Sequence, residues 1–105
     1  MEPRMTLQTQ VILQALLQHP AEELWGRKIA GLTGLMPGTV QPILIRLEQA
    51  GWVASRQESA DTARFDGRPA RRFFALTEDG AAKARVALAT ARRPTKSALQ
   101  GLAGQ

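Results

Sequence analysis

The 105-residue sequence predicts a mostly helical α+β fold, in the order helix, helix, helix, two-stranded hairpin, helix. Three observations carry this reading. Apolar residues recur at helical spacing in separate stretches, glycines and prolines punctuate the ends of those stretches, and a partly alternating β-branched segment near residue 53 has a partner near residue 73.

In TLQTQVILQALLQHP, Leu7, Val11, Ile12, Ala15 and Leu16 follow helical spacing, Leu13 and Leu17 widen the stripe, and Pro20 stops the helix. A short extended lead-in then reaches a second helix from about Gly26 to Leu32, which Gly34 closes with a positive φ. The third helix has Pro37 at its first position, Val40, Ile43, Leu44 and Leu47 at i, i+3, i+4 and i+7, and Gly51 as its stop. Two helices joined around a glycine match a helix-turn-helix. Pro42 lies past the first turn, where it removes a hydrogen bond toward Gly38 and is expected to kink the helix.

WVASRQES and RRFFALT are expected to pair as a hairpin, and ADTARFDGRPA between them reads as an extended, mobile tip. Because strand side chains alternate, Phe73 and Phe74 are not both expected to face inward. Thr77 suits an N-cap, with Glu78 and Asp79 in the first turn of a helix running to about Ala91; Arg92 and Arg93 suit its end and Pro94 stops it. The expected organisation is a winged helix-turn-helix over residues 1–77, a C-terminal helix over 78–93 and a flexible tail over 94–105.

The chain has no cysteine and one histidine, so no disulfide framework, metal site or cofactor is expected. No apolar run has bilayer length and MEPRMTLQTQ lacks a signal-peptide pattern, so a cytoplasmic protein with no membrane partner is expected. The net charge is +5 and is unevenly spread: residues 1–51 are neutral, whereas residues 52–76 carry five arginines against three acids and residues 77–105 five cations against two. A localised basic excess fits a nucleic-acid partner. No nucleophile-base pair, phosphate-cradling glycine loop or paired-carboxylate motif supports an enzyme.

Within this order of elements, GRPARRFF joins a contact surface to the core. Arg68, Arg71 and Arg72 stand at or near the wing tip, within reach of phosphates or a minor groove, while Phe73 or Phe74 anchors the ribbon. On the third helix, Gln41 is the candidate base reader and Thr39 and Arg46 are candidate phosphate or base contacts. Gly38 exposes backbone amides at the helix start, and Arg27 and Lys28 are candidate backbone clamps. Trp25 and Trp52 default to core corners, with ligand stacking for a small-molecule effector as the weaker reading. Ala81, Ala84, Leu88 and Ala91 form a narrow seam of the last helix, suited either to a partner helix or to the chain's own core.

LWGRKIAGLTGLMPGTVQPILIRLEQAGWVASRQE followed by GRPARRFFALTEDG resembles the winged-helix regulators of the PadR type, over about residues 7–85. The most specific pieces are Pro37, Gly38, Thr39 and Pro42 together, and Gly67, Arg68 and Pro69 with Leu76, Thr77 and Gly80. The resemblance implies a dimeric transcriptional repressor of prokaryotic type, dimerising through the C-terminal helix and often the first, so Leu7, Val11 and Leu88 become candidates. It also implies that Pro42 is a family feature. A dimer would set two recognition helices ~34 Å apart on a pseudo-palindromic duplex-DNA site. Arg27 and Met36 depart from the usual tyrosine and serine, leaving the recognition helix without a side-chain N-cap, a loss of about 1 kcal/mol. Gln41 also replaces a frequent tyrosine, and glutamine pairs bidentately with adenine. The alternative is a winged helix used as a protein-protein interaction module, or one that binds RNA.

Overall fold

The computed structural model describes residues 2–20 and 22–92. The elements follow as α1 (Leu7–Gln18), β1 (Leu24–Trp25), α2 (Gly26–Thr33), α3 (Pro37–Gln49), β2 (Val53–Gln57), α4 (Ala60–Phe65), β3 (Arg72–Leu76) and α5 (Glu78–Arg92). Arg93 and the tail expected over 94–105 lie outside the described residues.

Local chemistry sets the element ends. Thr6 caps α1 by accepting the Thr9 amide at 3.2 Å. Gly34 and Gly51 close α2 and the turn after α3 with φ of 77° and 79°, which only glycine adopts readily. No side chain caps α3; the Met36 carbonyl instead accepts the amides of Thr39 and Val40 at 2.9 and 3.1 Å. The helix runs through Pro42 as one element.

One core joins these pieces. Ile12, Leu13 and Leu16 of α1, Ile29 of α2, Val40, Leu44 and Leu47 of α3, Trp52, Val53 and Phe74 are all buried together, and Ala84 and Leu88 of α5 join them. Ala84 and Leu88 of the seam therefore pack on their own protomer, and the core continues across residue 77. Thr77 locks α5 in place: its hydroxyl donates to the Gly51 carbonyl at 2.9 Å and accepts the Gly80 amide at 2.8 Å.

The sheet departs from a simple hairpin in two ways. Its strand order is β1-β3-β2, all antiparallel, because the lead-in to α2 pairs as a third strand, with Leu24 opposite Phe74 and Trp25 opposite Phe73. The wing tip expected to be extended and mobile contains α4 instead. Ser59 caps it by accepting the Thr62 amide at 3.1 Å, Asp61 sits in its first turn, and Ala63 buries its inner face. As pleating requires, Phe74 points into the core while Phe73 meets Trp25 edge-on at 6.0 Å on the other face.

Arg68 and buried Glu58 tie the wing internally. The guanidinium meets both Glu58 oxygens at 2.5 and 2.8 Å and Asp66 at 3.2 Å, and the Arg71 amide adds a bond to Glu58 at 3.2 Å. The Arg68 hydrogen bonds, with help from that amide, lower the Glu58 carboxyl from 4.5 to about 2, against the opposing effect of burial. A depressed acid stabilises the fold above its unfolded pKa and loses that contribution as pH falls through the folded one. The wing should therefore keep constant amide-exchange protection from neutral pH down to about 4.5 and lose it as pH falls toward about 2. In Glu58→Gln the protection should already be low at neutral pH and largely independent of acid; equal profiles for the two proteins would contradict the tie.

Candidate nucleic-acid interface

Helix α3 presents two unlike faces. Val40, Ile43, Leu44 and Leu47 face the core, while Gly38, Gln41, Pro42, Ile45, Arg46 and Gln49 are exposed and Thr39 is half-buried at the edge. The face given to Gln41, Thr39 and Arg46 by helical spacing is thus the solvent face. The Arg46 side chain folds along the helix, with Nε donating to the Pro42 carbonyl at 3.3 Å.

A groove of about 530 Å³ runs from the starts of α2 and α3 to the wing. Arg27, Arg68, Arg71 and Arg72 line it with Gly26, Pro37 and Gln41, and no acidic residue lines it. Gly26 and Gln41 nearly touch: a Cβ on Gly26 would lie 3.0 Å from the Gln41 Oε1. The absence of that Cβ lets the amide of Gln41 sit against the start of α2.

The arginines of the groove do different work. Arg68, expected at the phosphate surface, is only 22% exposed and commits its guanidinium to Glu58 and Asp66. Its place is in the internal tie because the wing folds back through α4. Arg71 lies over the Trp25 ring at 4.0 Å, a cation-π contact that orients the guanidinium without neutralising it. Arg72 donates to Ser55 Oγ at 2.9 Å, and that hydroxyl in turn donates to Glu48. Arg27 is exposed at the groove wall, whereas Lys28 is exposed on α2 but does not line the groove.

A second groove, of about 660 Å³, lies on the other flank of α3, where Arg4 of the N-terminal segment comes alongside Thr39, Pro42 and Arg46. Sequence reasoning missed Arg4, since nothing in MEPRMT signals that it returns to α3. It also missed Phe65, which is 91% exposed at the end of α4.

Neither tryptophan is a free stacking surface in the protomer. Trp52 is 3% exposed within the core, and Trp25 is half-buried between Phe73 and Arg71. Of the residues expected at a dimer contact, Ala84 and Leu88 are buried in their own protomer, Ala81 and Val11 are half-buried, and Leu7 is 73% exposed. Val86, on the outer side of α5, is 67% exposed and was not among those expected. Among the described residues no cluster of metal-binding side chains occurs, and no helix is long and apolar enough to cross a membrane.

Helix-turn-helix, wing and cationic groove together define a winged-helix protein. The chain belongs to the Transcriptional regulator PadR-like family, whose model matches residues 22–86; this is a family of regulators and not of enzymes. Among solved structures, it is similar to the PcaV transcriptional regulator of Streptomyces coelicolor, with 26% identity and a TM-score of 0.59 over 76% of this chain and 50% of that one. It shares its fold with PadR of Bacillus subtilis in complex with operator DNA, at 18% identity and a TM-score of 0.63 over 79% of this chain and 48% of that one. A mutant of Staphylococcus aureus MepR bound to an oligodeoxyribonucleotide also shares the fold, at 23% identity and a TM-score of 0.63 over 95% of this chain and 64% of that one. The chain thus spans about half the length of PcaV and PadR. No curated protein sequence matches it significantly.

Proposed function

We propose that the chain is a sequence-specific duplex-DNA-binding transcriptional regulator, a repressor acting as a homodimer, with α3 in the major groove and the wing on the minor groove or backbone. The observation that carries this reading is the acid-free groove where Arg27, Arg71 and Arg72 converge beside the start of α3. Cations on the wing and on α2 can hold the phosphate wall on that flank of a helix lodged in the major groove. The operator DNA bound to the fold-sharing PadR supports the same partner here. Leu7 on α1 and Val86 on α5 are exposed apolar side chains available to a second copy.

Exposed Phe65 favours one other reading, a wing that binds a protein. Selection from genomic duplex fragments, at two salt concentrations with excess competitor, separates the two. Recovery of a two-fold symmetric site is the expected result. Weak, sequence-blind binding that vanishes with salt would remove the regulator reading and leave the protein-binding wing.

A further inference from the structure

The ridge of α3 that points most directly away from the core is apolar through its centre. Gly38, Pro42, Ile45 and Gln49 stand at i, i+4, i+7 and i+11, opposite the buried set, and all four are exposed. Ile45 keeps 44% of its surface in solvent. Packing does not explain an isoleucine there, and neither does helix propensity, which favours unbranched polar side chains at exposed positions.

Charge brackets this ridge on both sides. Gln41 leads to the groove of Arg27, Arg71 and Arg72, and Arg46 lies beside the groove that Arg4 and Glu2 line, where the two arginines outnumber the one acid. A cation-flanked helix with an apolar crest is complementary to a major groove, whose walls are phosphates and whose floor carries one apolar feature, the C5-methyl of thymine.

We infer that Ile45, with Pro42 beside it, reads thymine C5-methyl groups, while Gln41 one turn earlier pairs with adenine. Gly38, having no side chain, lets the start of the helix approach the bases. Each half-site then contains thymine opposite the ridge. The inference rests on the proposed DNA-binding reading and names the sequence class that such binding selects.

Replacing thymine by uracil removes the methyl and leaves every hydrogen-bonding group of the base pair in place. Random duplex pools made with thymine or with uracil are selected on the protein, and single T-to-U changes are then measured in the recovered site. Affinity should fall about fourfold for each methyl that Ile45 covers. Ile45→Ala, checked by its melting curve, should bind thymine and uracil equally at the positions that Ile45 covers. If the wild-type protein binds a specific site but no single T-to-U change in the half-site alters its affinity, the methyl-reading inference is overturned while DNA recognition stands. If neither pool yields a specific site, the DNA-binding reading fails, and this inference with it.

Discussion

Gly80→Ala is expected to lower stability by about 4 kcal/mol or more, or to prevent folding. Gly80 is buried in the first turn of α5, and a Cβ there would lie 1.9 Å from the carbonyl oxygen of Trp52, 2.5 Å from its carbonyl carbon and 2.6 Å from its Cα. These are backbone atoms, so no rotamer change relieves the overlap. The approach is close because the Thr77 amide bonds the Trp52 carbonyl at 3.0 Å and the Thr77 hydroxyl holds Gly51, so the start of α5 sits directly on the α3–β2 turn. For a domain of this size, 1 kcal/mol shifts Tm by roughly 4–8 °C, so the drop should exceed about 15 °C. Gly31→Ala is the matched control: a Cβ there meets open space inside α2, and the change should stabilise by about 0.5–1 kcal/mol. Similar melting curves for the two variants would contradict the docking of α5 as described.

Replacing Arg27, Arg71 and Arg72 together by alanine should weaken DNA binding roughly a thousandfold or more, since each charge-assisted hydrogen bond is worth ~1.5–3 kcal/mol. Salt dependence is the sharper readout. The slope of log affinity against log salt should flatten by about 0.9 for each phosphate that no longer meets a guanidinium. Arg68→Ala should behave differently, lowering Tm by leaving buried Glu58 unpaired while leaving the salt slope nearly unchanged in protein that remains folded. If Arg68 alone carried the slope and the triple variant kept it, the division of the wing into tie and contact surface would be wrong.

The elements most legible in the sequence are those whose signal is local. Helical spacing from Val40 to Leu47, Gly34 and Gly51 at positive φ, and Thr77 before two acids each mark an element by its own chemistry. Pleating also foretold that Phe73 and Phe74 would part. Features that depend on distant partners were not legible. Leu24–Trp25 is too short to signal a strand and becomes one only because β3 offers a free edge. Ser59 and Asp61 are a usable capping signal for α4, but Gly67 and Pro69 nearby suggested an open tip. A guanidinium in GRPARR carries no local mark of whether it faces a phosphate or a buried carboxylate, so the pairing of Arg68 with Glu58 is visible only in the fold. The seam of Ala84 and Leu88 was equally ambiguous, because close packing on a partner and on the chain's own core require the same small residues.

Methylation interference on the site recovered by selection tests the central claim most directly, because guanine N7 lies in the major groove and adenine N3 in the minor groove. Recognition by α3 predicts that N7 methylation blocks binding within each half-site, where the helix would lie, and that any N3 effect is confined to flanking positions under the wing. N3 methylation alone blocking binding, or no position mattering in either groove, would contradict it.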